Sequence, residues 1–419
     1  MVRSIKNRLY FLVAWYFRLF AAIRLARWKP RIVVITGSNG KTTALHLVEA
    51  QLGKTAKYSH GANSSFGIPF DILGLKRLTY SPLEWTRLFL LAPISAWRKP
   101  YAEKIYIVEA DCDRPREGQF LSSLLRPEVV VWLSSARTHS QNFEKSVRAG
   151  KFASVDEAIS HEFGYFTGCA SSLVIMNADN PLIMKQMRRT KAKVHEVKET
   201  ELEGYEVRND GTVFKIRGAT YRIPFLLPKE TFYAIAASVK IAEYLGIRPT
   251  IDFSAFTLPP GRSSIFRGIR DTTIIDGSYN TNADSVRVII GMSEGLPGTS
   301  KWLILGDLTE QGGLEKEEHE KLARLLQGSG FQKLILVGPR LAAHTLPLLK
   351  QSKDVISFIN PKDALQYLQS SLNGRETLVF KGARFLEGII EHLLLDKRDV
   401  AKLCRREAVW QKRRAQWGL

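Results

Sequence analysis

From residue 31 onward, short runs of β-branched and other apolar residues alternate with segments whose apolar positions recur every three or four residues. The first kind predicts buried strands, the second helices packed on them. RIVVIT (31–36) is the first such strand and 44–52 the first helix. KIYIVEAD (104–111) predicts a second strand, a third lies within 126–143, and IMNADNP (175–181) closes another. Between residues 194 and 227 the apolar spacing shortens to two, with Asn209-Asp210-Gly211 as a hairpin signal. That predicts a small antiparallel patch on the central domain. A helix follows over 231–247, then a Pro-Gly linker, LPPGRSSIF (258–266), and beyond it strands and helices alternate again. The order predicts an α/β protein: a central domain (31–257) with a mostly parallel sheet and a C-terminal Rossmann-like α/β domain (258–396).

The first thirty residues follow another pattern. Ile5, Leu9, Leu12, Val13, Tyr16, Leu19, Phe20 and Ile23 recur at helical spacing, and Phe11, Trp15 and Phe17 widen the stripe. Arg18 and Arg24 interrupt it, so no stretch reaches the ~20 apolar residues of a spanning helix. Residues 1–30 therefore predict a basic amphipathic helix, suited to a membrane surface or to packing on the protein's own body or on a partner chain. The apolar part has the length of a signal-peptide core, but no convincing small-residue cleavage site follows it.

Charge sharpens that picture. The 419 residues carry 61 Lys+Arg against 41 Asp+Glu, a formal net charge of +20. Glu49 is the first acidic residue; Arg3, Lys6, Arg8, Arg18, Arg24, Arg27, Lys29, Arg31 and Lys41 precede it. Residues 397–419 form a basic tail. Lipid head groups, nucleic acid or a phosphorylated substrate would suit such ends, and so would solubility alone. No aromatic-basic signature of a nucleic-acid module is present, so no specific nucleic acid is expected. Cys112, Cys169 and Cys404 are too few and too scattered for a disulfide framework or a Cys-based zinc site.

Candidate chemistry begins where the first strand ends. GSNGKTT (37–43) places glycines, then Lys-Thr-Thr, between a strand and a helix. Glycines let backbone N–H groups approach anionic oxygens, and a helix start favours negative charge. Gly37, Asn39, Gly40, Lys41, Thr42 and Thr43 are thus candidates for holding nucleotide phosphates. Lys41 would neutralise the terminal phosphates and Thr42 would offer its hydroxyl to Mg²⁺. The spacing departs from the general GxxxxGK form, since Ile35 stands where that pattern has its first Gly. Glu109, inside an otherwise apolar strand, is placed to reach a metal beside the phosphates; Asp111 and Asp113 are weaker candidates.

The octet TGSNGKTT is similar to the phosphate loop of the Mur ligase family, ATP-dependent enzymes that join an amino acid or peptide to a carboxylate. The resemblance continues in order along almost the whole chain after residue 30. It implies ATP and Mg²⁺ as cofactors, Lys41, Glu109 and His139 as catalytic residues, and Thr42, Glu109 and His139 as metal ligands. It also implies that Arg262, Asp276 and Asn280 contact ATP. Ser134 and Ser135 replace the family's usual Thr/Asn pair. No Lys stands where most members carry a carbamylated one; Ser160, His161 and Glu162 lie there, and His161 or Glu162 could ligate metal instead. Glu230 and Tyr233 stand where the family often touches adenine with His and Asn. IDGSYNTNADS (275–285), LGDLTEQG (305–312) and KGAR (381–384) resemble the subfamily whose amine donor is D-alanyl-D-alanine. About thirty residues precede the first strand, too few for the UDP-binding domain usual in wall ligases.

The resemblance implies a cytoplasmic enzyme that forms an amide bond through an acyl phosphate in peptidoglycan precursor synthesis, adding D-alanyl-D-alanine or a similar amine to a muramoyl peptide. Its partner would be a small-molecule or lipid-linked cell-wall precursor, with the enzyme peripheral at the inner face of the membrane if residues 1–30 bind lipid. Competing readings are a ligase of the same family for a folate or amino-acid polymer, and a non-catalytic ATP-binding module docked on membrane or RNA.

Overall fold

The computed structural model describes residues 2–78, 83–208, 210–296, 298, 300–349, 354–383 and 385–419, with side chains from Tyr10 onward. Asn209 of the hairpin signal, Arg384 of KGAR and the side chains of Ile5 and Leu9 fall outside that description. The chain divides into two compact units: residues 1–137, 142–201 and 233–250, and residues 138–141, 202–232 and 251–419.

The first unit is built on parallel strands β1 (Arg31–Thr36), β2 (Lys57–Tyr58), β3 (Ile105–Ala110), β4 (Val129–Trp132), β5 (Leu173–Asn177) and β6 (Lys193–Val197), in the order β2-β3-β1-β4-β5-β6. β1 is central because Ile32 to Thr36 are buried on both faces, as the continuous apolar run requires. Its neighbours are β3 and β4, with Ile35 level with Glu109 on one side and Val131 on the other. The chain leaving β1 therefore emerges between the ends of β3 and β4, where open parallel sheets bind ligands.

Helix α1 (Val2–Trp28) packs on this unit together with α2 (Lys41–Leu52), α3 (Gly67–Leu73), α4 (Leu83–Trp97) and α5 (Glu117–Leu125). Its buried face is Ala14, Phe17, Ala21, Leu25 and Trp28, whereas Leu12, Trp15 and Leu19 are exposed. That corrects the expected stripe. Phe17, read as flanking, sits in an aromatic cluster with Phe66, Phe70, Trp85 and Phe89, and Leu12 and Leu19 point away from it. Burial followed the rings that had partners, and the helix is apolar enough all round that period alone could not choose the face. Among the described residues no helix is long and apolar enough to cross a membrane.

The second unit contains the antiparallel meander β7 (Leu202–Arg208), β8 (Gly211–Ile216) and β9 (Ala219–Ile223). It groups here because Val207 and Leu226 share a buried cluster with Val286, Ile289 and Met292. The main sheet takes β10 (Ser264–Arg267), β11 (Thr273–Gly277), β12 (Lys301–Gly306), β13 (Lys333–Val337), β14 (Val355–Phe358) and β15 (Thr377–Lys381) in the order β10-β11-β15-β12-β13-β14. All pairs are parallel except β10–β11, an antiparallel edge formed by residues read from sequence as linker. Alternate residues serve opposite faces: Ile275, Leu303, Leu305 and Val379 enter one core, and Ile274, Trp302, Ile304, Leu378 and Phe380 the other. Helices on both faces follow from that two-sided burial. Residues 397–419 fold back on this unit: Leu403, Cys404 and Arg414 are buried, and Arg406 pairs with Glu391 at 2.5 Å.

Candidate active site

The loop after β1 is shaped by two glycines. Gly37 has φ +131° and Gly40 +83°, values that L side chains rarely adopt. Gly40 hands the chain into α2, so the helix starts at Lys41, three residues earlier than apolar spacing predicts. Lys41, Thr42 and Thr43 thus form its first turn, whose N–H groups have no intrahelical partners and favour an anion. The end of β4 braces the loop. Ser38 N–H donates to Ser134 O (3.1 Å), Asn39 N–H to Ser134 Oγ (2.8 Å), and Ser134 Oγ–H to Asn39 O (2.9 Å). Ser38 Oγ–H donates to Ala136 O (2.7 Å). In turn Asn177 and Asn180 hold that segment through Leu133 O and Ser135 O (3.0 and 3.2 Å). Ser134, a departure when read as sequence, is a brace in the structure.

Lys41 is buried, its ammonium 2.6 Å from Gly37 O and 2.8 Å from Asp111 Oδ2. Burial draws its proton affinity down, but Asp111 and Glu109 more than reverse that and hold it above the ordinary lysine range. Asp111, ranked below Glu109 from sequence, is the direct partner of the lysine. Thr42 Oγ1–H donates to Glu109 Oε2 at 2.8 Å. Two cis ligands of an octahedral Mg²⁺ at 2.0–2.1 Å lie ~3 Å apart, so this hydroxyl and carboxylate fit such an ion.

His139 is not joined to that group by these contacts. Its segment clusters with the second unit, and its Nδ1 lies 2.5 Å from Glu310 Oε2. Of the two candidates for replacing the missing lysine, Glu162 has both oxygens engaged elsewhere, whereas His161 keeps a buried Nδ1 with no hydrogen-bond partner. Glu162 accepts N–H bonds from Arg116 (2.9 Å) and Gly118 (3.1 Å), capping α5 from outside, and burial lifts its carboxyl to about 6 against those two donations. His161 packs its ring against Phe152 and Tyr165. Glu162 is therefore a clamp on the loop after β3, as is buried Glu117, which accepts from Ser65 and Asp113. Tyr233, which stands near where the family often carries an adenine contact, donates its hydroxyl to Asp179 Oδ2 (2.6 Å).

In the second unit Asp276, at the end of β11, is fully buried. Its Oδ1 accepts from Ser278 N–H (2.9 Å), Oδ2 has no hydrogen-bond partner, and burial raises its pKa. An orphaned buried carboxylate oxygen is costly unless a donor arrives. Lys381, level with Gly277 on β15, donates to Asn280 O (2.8 Å); lost hydration and nearby Arg262 push it down to about 8. Arg262 lies over the Tyr279 ring at 4.7 Å. Asn280 accepts Thr281 N–H, and Asn282 caps the following helix (Ala283–Glu294). Arg262, Asp276, Asn280 and Lys381 thus share one locality. Nearby, a cavity of about 410 Å³ is lined by Thr309, Arg340, Ala383, Phe385, Arg405 and Trp410.

A glycine loop between a central parallel strand and a helix, with Lys-Thr at the helix start and a carboxylate on the next strand, defines the phosphate-binding class of α/β proteins. The chain belongs to the Mur ligase family: residues 35–228 match the Mur ligase middle domain, and residues 261–384 match the Mur ligase glutamate ligase domain. Among curated relatives, the UDP-N-acetylmuramoyl-tripeptide–D-alanyl-D-alanine ligase of Bacillus subtilis is 25% identical over 382 residues, covering 87% of this chain and 76% of that protein. The same-named ligase of Borreliella burgdorferi is 24% identical over 376 residues, covering 84% and 72%. The fold matches the MurF ligase of Thermotoga maritima in complex with ADP, with TM-score 0.73, 20% identity, and 93% and 84% of the two chains covered. It also matches the Mycobacterium tuberculosis folylpolyglutamate synthase complexed with ADP and AMPPCP, with TM-score 0.60, 15% identity, and 92% and 97% covered.

Proposed function

We propose that this chain is an ATP-dependent ligase that activates a carboxylate as an acyl phosphate and joins it to an amine in peptidoglycan precursor synthesis, the acceptor being a muramoyl peptide and the donor D-alanyl-D-alanine or a similar amine. The observation that carries this reading is the pairing of Lys41 with Asp111 and of Thr42 with Glu109 at one phosphate loop. The relatives named above for this reaction support the choice of substrates.

In this reading the loop N–H groups and Lys41 grip the β- and γ-phosphates of ATP. Thr42 and Glu109 would hold Mg²⁺, which when bound neutralises charge on the transferring phosphoryl group. The acceptor carboxylate oxygen attacks the γ-phosphorus and ADP leaves. The amine nitrogen then attacks the acyl carbon, loses a proton, and inorganic phosphate departs. Asp276 Oδ2 suits a ribose hydroxyl, and Arg340 and Arg405 around the cavity suit a donor that carries its own carboxylate. The enzyme would work in the cytoplasm. A lipid-linked acceptor is the second reading, favoured by the exposed apolar and cationic face of α1 and α4.

The test is ADP release by the purified protein, with UDP-muramoyl tripeptide and D-alanyl-D-alanine supplied singly and together. Release is expected only when both are present, and Lys41→Ala should abolish it. A folded protein that binds ATP yet releases no ADP with any acceptor–amine pair would sink the reading.

A further inference from the structure

We propose that the outer faces of α1 and α4 form a docking platform for an anionic phospholipid bilayer. This surface is argued independently of the reaction at Lys41. The two helices are welded into one layer of the first unit. Tyr16 donates its hydroxyl to Phe89 O (2.8 Å), the Phe17 and Phe89 rings stack at 5.1 Å, and Arg24 and Arg27 donate to Ser95 O and Ala96 O (2.7 and 2.8 Å). The inner faces are spent on the core: Ala14, Phe17, Ala21 and Trp28 from α1, Leu88, Ala92 and Ala96 from α4.

The outer faces carry what a folded protein ordinarily hides. Leu12, Trp15 and Leu19 on α1, and Leu83, Leu90, Ile94 and Trp97 on α4, range from 54% exposed at Trp15 to 83% at Leu83. They recur along each helix at intervals of three, four or seven, so each set holds one face. A single exposed leucine needs no explanation, but apolar rows on two helices packed side by side do.

Charge selects the occupant. The Arg18 guanidinium lies over the Trp15 ring at 4.7 Å, and that of Arg27 over Trp97 at 5.3 Å. Each exposed tryptophan is thus twinned with a cation, the pairing that suits the head-group level of a bilayer. Arg87, Arg98 and Lys99 add exposed positive charge. Over residues 10–30 and 83–103 the sequence holds two acids, Glu84, buried beside Arg87, and half-buried Glu103 in the segment after α4. Against these two acids, Arg18, Arg27, Arg87, Arg98 and Lys99 leave the rim predominantly positive, which fits an anionic lipid surface. Since no described helix can span a membrane, the platform lies on the bilayer. Removing α1 outright would strip Phe17 and Trp28 from the core, so the decisive changes are on the outer face.

The experiment is cosedimentation of the full chain with vesicles of phosphatidylcholine alone or with phosphatidylglycerol, at low and high salt. Wild type should partition onto phosphatidylglycerol vesicles about tenfold more strongly than onto neutral ones, and release as salt rises. The double variant Leu12→Glu, Leu90→Glu should lose about tenfold or more of that binding with an unchanged melting temperature, because both positions are solvent-facing. Lys412→Glu, Arg413→Glu, in the basic terminus that belongs to the second unit, should bind as wild type does. The platform is overturned if wild type ignores anionic vesicles, or if the Leu12/Leu90 variant binds equally well. It is overturned too if the Lys412/Arg413 variant is the one that fails, or if light scattering shows a dimer that the Leu12/Leu90 variant breaks without any vesicle binding.

Discussion

Gly37→Ala tests the phosphate loop at its tightest point. A Cβ at Gly37 would sit 2.8 Å from Ser134 O and 2.9 Å from Ser134 N, both backbone atoms, at a φ of +131°. Ser134 cannot retreat freely, because it follows β4 and its hydroxyl is bonded to both backbone groups of Asn39. Holding the native loop costs ~1–3 kcal/mol in backbone strain and ~1–3 kcal/mol in overlap. Escaping that cost means breaking the Ser38 and Asn39 hydrogen bonds to Ser134, at ~1 kcal/mol each. Either route removes at least ~2 kcal/mol from the conformation that grips phosphate, which at ~1.4 kcal/mol per decade is about thirtyfold in ATP affinity. Isothermal titration with a non-hydrolysable ATP analogue reads it directly. Gly53→Ala is the control: φ is +53° at the end of the same helix, but nothing lies within 4 Å of its Cβ. It should cost ~1 kcal/mol of stability and leave affinity unchanged. Wild-type affinity in Gly37→Ala would falsify the assignment of this loop to the phosphates.

Glu162 predicts a pH signature. A carboxyl held at about 6 when folded, against 4.5 as its reference, binds its proton more tightly in the folded state. Its contribution is best below the unfolded value and falls by ~2 kcal/mol as pH rises through the folded one. Denaturant titrations from about pH 4 to pH 7 should show wild type losing that much more stability than Glu162→Gln; parallel curves would remove Glu162 as the cause. Asp276→Asn should weaken ATP binding about tenfold without lowering the melting temperature, since the change relieves an orphaned buried charge. A lower melting temperature with intact affinity would make Asp276 a structural residue instead.

Most strands of the two main sheets were legible because fully buried parallel strands must be continuous apolar runs; two-residue β2, β6, which the sequence placed in the antiparallel patch although it pairs in parallel with β5, and β10, read as linker, were not. RIVVIT spans β1 to the residue. The phosphate loop was legible for a different reason: a short stretch of backbone does its work, and its glycines are written in the sequence. Less legible were residues whose roles depend on what the fold brings beside them. Ser134 is 95 positions from Asn39, and no local pattern tells a bracing serine from a substituted one. Asp111 and Glu109 lie on the same strand end, and only the approach of Lys41 and Thr42 separates their roles. Glu162 had the right chemistry for a ligand, yet the start of α5 took both its oxygens.

By itself the sequence determined the class of protein: hydrophobic period sets strand against helix, and glycine with Lys-Thr marks where phosphate sits. Tertiary structure alone decided which face of α1 is buried, that α4 extends its exposed apolar surface, and which carboxylates remain free for chemistry. The physical reason is that backbone conformation responds to neighbours along the chain. Burial and pairing respond to neighbours in space, and a helix apolar on every side or a row of carboxylates leaves that choice to packing.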